Sequence, residues 1–383
     1  MDLENKWGDY TRIFSLMGSL QKRGHKIFVF VIRPNPKKPR ITHLKENGLD
    51  VIEIHPPSIG ISGKKGISRH LNYLLCIPTI QKEASKIIEK HGIDFVYSYM
   101  PGTGSSVPAM RICSKHKIPF VLDLADMYGM IRPKSVIDKS FKNADKIIVI
   151  TNYLKDILLT KGISESKIQI IPNGVDLGMF NQDVCSYDEV KKIRQRFQSD
   201  KIIVFAGSLQ DLNMIIDSAK YVIKQIPNSK FVIIGDHRDP LRSKSMWEKK
   251  VLEKNLADHF IFLGRLPRDE IPKYILSADV CLDSFPNEPY YAAAHPIKLL
   301  EYGACGKPVV ATKVEETEKI IIHEKYGFLS NPYDPNEYAN YLITLLIDSN
   351  LAKSMGESFS EYIQREFDWN YLSEKFEKYL SKL

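Results

Sequence analysis

The run HPIKLLEYGACGKPVV, residues 295–310, combines residue types and spacings that could do chemistry. Pro296 suits the first turn of a helix, where its missing N–H costs nothing. A helix starting there leaves the N–H groups of Ile297 and Lys298 without intrahelical acceptors and carries partial positive charge at that end. Lys298 adds a full charge, so the segment is ready to receive a diphosphate. Glu301, about one turn on, faces the same side, and its carboxylate can accept hydrogen bonds from paired ribose hydroxyls. Gly303 and Gly306 end the helix, and residues 308–311 read as the next strand. A phosphate site one turn from a diol acceptor matches a nucleoside diphosphate. The competing reading is an ordinary amphipathic helix with Lys298 and Glu301 in solvent.

These residues need a scaffold, and the rest of the chain spells one out. Tyr10, Ile13, Phe14, Met17 and Leu20 repeat at helical spacing, and Gly24 stops that helix. Short Val/Ile-rich runs at 26–32, 50–54, 94–97, 119–123, 146–151 and 168–171 alternate with helical stretches. This predicts parallel strands covered on both faces. The turn formers of IPNGVD, residues 171–176, predict a hinge. A second series follows, with strands expected at 202–206, 231–235, 260–263, 280–283 and 308–311. The expected architecture is α/β, with two Rossmann-like domains, 1–173 and 174–358, whose sheets face across a cleft that receives ligand. Trp369, Leu372, Phe376, Tyr379 and Leu380 share one helical face, so a C-terminal helix, 359–383, is expected to pack back on the first domain. A doubly wound domain usually opens with a strand, yet here the chain begins almost at the loop Lys6–Asp9 that would follow it. The expectation is a first domain lacking its first strand.

Composition narrows the classes. The 383 residues are 43% hydrophobic and 26% charged, which is globular. Net charge is +8, and residues 1–70 hold thirteen Lys or Arg against six Asp or Glu. That patch suits an anionic phospholipid surface or a phosphate-bearing acceptor, with a solvated basic face as the alternative. Lys64, Lys65 and Arg69, together with Gly8, are the candidates for the acceptor side. No compact module or basic–aromatic stripe points to nucleic acid. Five scattered cysteines without a CxxC read as reduced thiols, and no apolar run is long enough to span a bilayer. The expected location is the cytoplasm, with contact at a membrane's inner face.

The 295–310 run resembles the donor-binding signature of the retaining glycosyltransferases of family 4 (glycosyl transferases group 1), which have the two-Rossmann GT-B fold. The likeness continues in chain order through LQKRGHKIFV (20–29), ADKIIVIT (144–151), IPNGVD, FAGSL (205–209), VIIGD (232–236), IFLGRLPRDEIPKYILSADVCLD (261–283), YGFL (326–329) and FDW (367–369). The resemblance implies transfer of a hexose from a nucleoside-diphosphate sugar to a glycan or lipid-linked acceptor, with retention and with neither cofactor nor metal. It assigns Glu301 to the ribose, and Ile297 and Lys298 to the diphosphate. His295 and Pro296 fall in the same donor segment. Gly264 and Arg265 fall at the nucleobase, Gly207 and Ser208 at the phosphates, and Asp126 at the transferred sugar. Three departures are visible. Ala293 replaces the family's first glutamate, Ser208 and Met214 replace an Arg/Lys phosphate pair, and Ala125 replaces a histidine. Lys298, Arg265 or Arg238 must then supply the phosphate charge, or the donor binds weakly. A nucleotide-sugar epimerase and a catalytically weak or inactive nucleotide-binding subunit remain the alternatives.

Overall fold

The computed structural model describes residues 8–33, 40–56, 65–127, 134–237 and 239–383, with residues 8, 9 and 65–70 described by their backbone alone. The chain divides into two units, Met1–Pro172 with Trp369–Leu383, and Asn173–Asp368. Lys64 and Arg238 lie outside the described residues.

The first unit opens with α1 (Gly8–Lys22), then β1 (Phe28–Ile32), β2 (Ile41–Glu46), β3 (Leu49–Ile54) and α2 (Lys65–His91). It continues β4 (Val96–Tyr99), α3 (Ser106–His116), β5 (Phe120–Leu124), α4 (Lys134–Asn143), β6 (Lys146–Val149), α5 (Asn152–Thr160) and β7 (Ile168–Ile170). All six expected strands form. The sheet, however, is in two pieces, β1-β3-β2 and β4-β5-β6-β7. β2 is an unforeseen antiparallel edge strand, which lines Thr42, His43 and Lys45 along the rim. It reaches β3 through Asn47 and Gly48, both at positive φ, the two-residue hairpin turn that Asn-Gly favours.

A buried ion pair ties this unit together. The Arg12 guanidinium on α1 donates to both oxygens of Asp123 on β5, at 2.8 and 3.1 Å, and to the carbonyls of Ile171 and Pro172 at 3.0 Å each. The Tyr97 hydroxyl donates to the same carboxylate. Both charges are fully buried.

The second unit runs α6 (Tyr187–Phe197), β8 (Lys201–Ala206), α7 (Asn213–Gln225), β9 (Ser229–Ile234), α8 (Lys244–Glu253), β10 (Phe260–Gly264), α9 (Ile271–Ser277), β11 (Val280–Leu282) and α10 (Pro289–Ala292). Then come α11 (Ile297–Ala304), β12 (Val309–Thr312), α12 (Glu315–Ile320), β13 (Gly327–Ser330), α13 (Pro335–Ile347) and α14 (Ser349–Glu366). Its six strands are all parallel, in the order β10-β9-β8-β11-β12-β13. Apolar clusters cover both faces, as the near-continuous Val/Ile runs require.

The expected helix over 359–383 is two helices. Phe359 and Ile363 of α14 stay in the core of the second unit. The break falls at Phe367 and Asp368, where Val175 donates its N–H to the Phe367 carbonyl. Only α15 (Trp369–Leu380) joins the first unit, burying Trp369, Leu372 and Phe376. No helix among the described residues is long and apolar enough to cross a membrane.

Candidate functional site

The sheet order of the second unit selects a place. From β8 the chain steps outward to β9 and β10, then returns to the other side of β8 for β11, β12 and β13. The reversal lies between β8 and β11, and open α/β sheets bind ligands beyond the strand ends at such a point. Gly264, Gly235, Gly207 and Asp283 sit at or just past the ends of β10, β9, β8 and β11, four neighbours in the sheet. Gly235 must be glycine. At its φ of +129° an added Cβ would lie 1.8 Å from the Gly207 carbonyl oxygen. At its three glycines the rim of the site is therefore bare backbone.

α11 is held against this rim. The Tyr302 hydroxyl accepts from the Ala206 N–H at 2.7 Å and donates to its carbonyl at 3.3 Å. Leu299 and Leu300 pack in the same core as Phe359 and Ile363 of α14. Pro296 is the residue before the first helical turn, with ψ of 103°, rather than part of it as expected. Asn173 donates to the His295 carbonyl at 2.9 Å, which fixes the entry to the helix, and the His295 ring lies 5.6 Å from that of Phe367.

Lys298 and Glu301 are not solvated. The Lys298 ammonium is 2.6 Å from Asp283 Oδ1, with side-chain exposures of 11% and 0%. It also lies 4.4 Å from the ring centroids of both Phe205 and Phe285. A cation held between two aromatic faces and a buried carboxylate is fixed in position before any ligand arrives. Asp283 Oδ2 and the Ser208 hydroxyl are buried with no hydrogen-bond partner among the described residues. The Lys298 stem passes close by Gly207, where an added Cβ would lie 3.4 Å from Lys298 Cδ. The structure thus gathers Gly207, Ser208, Lys298 and the N-terminal end of α11 at one strand end.

Glu301 is buried, and burial pushes its carboxyl above the ordinary glutamate range while Arg268 pulls it back. Arg268 Nη2 donates to Oε1 at 2.7 Å, and the guanidinium stacks 5.1 Å from the Phe180 ring. Oε2 has no hydrogen bond among the described residues. Gly264 turns the chain at φ +70° after β10 and accepts from the Gly235 N–H at 2.7 Å. Arg265 beyond it is exposed. Burial raises the neighbouring Asp236, but the N–H groups of Lys244 and His237 and the charge of Arg265 leave that carboxyl below its usual value. Ala293 is fully buried, so the place of the family's first glutamate carries no polar group.

Asp126 belongs to the other unit, in the loop after β5, where Oδ1 accepts from the Met127 N–H at 2.7 Å. Gly8 opens α1 of that unit, and Lys65 and Arg69 lie in the first turns of α2. Sequence reasoning passed over Asp283, Arg268, Phe205 and Phe285. Asp283 had a legible signal: an aspartate ending a strand of otherwise apolar residues must find a cation or solvent.

Parallel strands flanked by helices in both units place the chain among Rossmann-like α/β proteins. Two family descriptions match complementary parts of it, "Glycosyltransferase Family 4" over residues 11–178 and "Glycosyl transferases group 1" over residues 186–361. The chain belongs to this glycosyltransferase family and has its GT-B fold. It is 26% identical over 310 residues to the uncharacterized glycosyltransferase MJ1178 of Methanocaldococcus jannaschii, covering 79% of this chain and 78% of the relative. It is 22% identical over 320 residues to a GDP-mannose-dependent alpha-(1-6)-phosphatidylinositol monomannoside mannosyltransferase of Mycobacterium tuberculosis, covering 79% and 80%. The crystal structure of Anabaena HepE in complex with UDP and glucose superposes with a TM-score of 0.75 at 17% identity, covering 99% of this chain and 97% of that one.

Proposed function

We propose that the chain is a retaining, metal-independent hexosyltransferase that draws a sugar from a nucleoside-diphosphate donor and delivers it to a glycan or lipid-linked acceptor. The observation that carries this reading is the Lys298 ammonium, fixed by Asp283 at the switch point beside the N-terminal end of α11. As the sugar–phosphate bond loosens, negative charge gathers on the departing β-phosphate. Lys298 and the N–H groups of Ile297 and Lys298 answer that charge without reorganising, which lowers the barrier. Asp283 acts as a positioning residue, holding the ammonium in place. Glu301 accepts the ribose hydroxyls through Oε2 while Arg268 holds Oε1. A fixed cation and helix end perform the neutralising role that a divalent ion performs elsewhere. Asp126 carries the sugar-contacting role that the family resemblance implies. A lipid-linked acceptor is supported by the phosphatidylinositol acceptor of the mycobacterial relative and by the basic residues of the first seventy. The protein then works in the cytoplasm at an anionic membrane face.

The test is transfer from a panel of UDP- and GDP-hexoses to glycan and lipid-phosphate acceptors, with the product anomer read by NMR and EDTA present in a parallel arm. Retained configuration and undiminished rate in EDTA are expected. An inverted product, loss of rate in EDTA, or free epimer without transfer contradicts the reading.

A further inference from the structure

The chain enters the second unit at Asn173 and leaves it at Asp368. The two segments are joined within that unit. Val175 bridges Asp368 in parallel register, and its N–H donates to the Phe367 carbonyl at 2.8 Å. Both segments also grip one residue, His295. The Asn173 amide donates to the His295 carbonyl at 2.9 Å, and the Phe367 ring centroid lies 5.6 Å from that of His295. Asn173, His295 and Phe367 are all buried. Val175 and Phe367 pack in one cluster with Leu299 and Leu300 of α11, so entry, exit and donor helix share a core.

What His295 controls follows from the residue after it. A peptide unit is planar, so holding the His295 carbonyl fixes the plane that ends in the Pro296 nitrogen. The proline ring locks the next torsion, a φ of −75°. Only ψ of Pro296 then separates the held carbonyl from the N–H of Ile297. Pro296 offers α11 no side-chain cap, and the helix is eight residues long, too short to hold itself in water. Its aim comes from core packing and from the held entry. The N–H groups that would face a diphosphate are therefore oriented from Asn173, through two rigid links and one torsion.

We infer that Asn173 is a positioning residue for sugar transfer, and that segments 173–175 and 367–368 form one latch on the donor helix. The inference rests on the donor site proposed above and adds what aligns it. Losing the Asn173 amide frees the 295–296 plane to turn, and a misplacement of about 1 Å at a reacting group can cost about a hundredfold in rate. Coupling between two sites is also reciprocal. A diphosphate that fixes α11 from one side must tighten the latch on the other. The pairing of Val175 with Phe367 then opens less readily when nucleotide is bound, and Asn173 is the link that transmits this.

Amide hydrogen exchange and transfer kinetics on Asn173→Ala and Asn173→Leu, the second keeping the volume without the donor, test the inference. Without nucleotide, amides 299–301 should exchange at least about fivefold faster in both variants than in the parent, with 202–206 unchanged. Saturating UDP or GDP, whichever binds, should slow exchange at Val175 at least about threefold in the parent and leave it unchanged in the variants. In transfer, kcat should fall at least about tenfold with KM within about threefold, the split expected when alignment rather than binding is lost. Parent-like exchange of 299–301 in both variants overturns the inference. So does equal nucleotide protection of Val175 in parent and variants, or none in a parent that binds nucleotide. Faster exchange spread evenly over 202–206 and 309–312 marks general destabilisation and overturns it too. A parent that binds neither nucleotide fails the proposed function instead, and the nucleotide-free exchange of 299–301 still decides the latch.

Discussion

Replacing Lys298 by Met should damage folding and catalysis for different reasons, and the two can be separated. The methionine keeps most of the stem but leaves Asp283 fully buried beside two aromatic rings with no cation. Breaking a buried pair by removing one partner costs about 3–5 kcal/mol. For a unit of about 200 residues each kcal/mol lowers Tm by about 2–4 °C, so a drop of roughly 6–20 °C is expected. Adding Asp283→Asn removes the stranded charge and should restore most of that loss. Turnover should not return with it. The cation facing the departing phosphate is still missing, and losing one such interaction costs about 3 kcal/mol, or about a hundredfold in rate. The assay is thermal unfolding of the parent, Lys298→Met and Lys298→Met/Asp283→Asn, followed by single-turnover transfer at saturating donor well below the lowest Tm. A double variant that transfers within about threefold of the parent, or a single variant with unchanged Tm, refutes the reasoning.

Glu301 predicts opposite pH trends for stability and binding. Burial raises its folded pKa above the unfolded value, so the folded state holds the proton more tightly. Its stabilising contribution is complete below the unfolded pKa and declines as pH rises toward the folded one, and Glu301→Gln should flatten that decline in denaturation curves. Donor affinity should instead weaken on acidification, starting above the ordinary glutamate range, because only the carboxylate accepts both hydroxyls; calorimetry across pH 4–8 (roughly) reads this. Gly235→Ala should abolish or severely weaken folding of the second unit, since its Cβ meets the Gly207 carbonyl. Gly18→Ala, in α1 with nothing within 4 Å of the new Cβ, should stabilise by about 0.5–1 kcal/mol in denaturant titrations. Arg12→Met strands Asp123 in the first unit and should cost about 3–5 kcal/mol in the same titrations.

The fold was legible where one kind of signal dominated. Runs such as 146–151 and 202–206 are apolar at nearly every position, because a strand covered on both faces has no wet side. The α11 segment was legible because Pro, Lys, Glu and two glycines each answer a different local demand. β2 escaped notice because an edge strand with Thr, His and Lys on it has no continuous apolar run, although the Asn47-Gly48 turn marked its end. The break between α14 and α15 was invisible to helical periodicity, since both helices are amphipathic and only the partner cores of Phe359 and Phe376 distinguish them. The site's pairs were hidden for a similar reason. Asp283 with Lys298, and Arg268 with Glu301, are apart in sequence and meet only through strand order and loop placement.

Titration of UDP and GDP into the parent chain and into Glu301→Ala, by calorimetry, tests the central claim most directly. Saturable binding of at least one nucleoside diphosphate is expected, weakened at least about tenfold by Glu301→Ala, as loss of hydrogen bonds to a charged group implies. Absence of binding for both, or an affinity indifferent to Glu301, contradicts a ribose-holding carboxylate beside a diphosphate site.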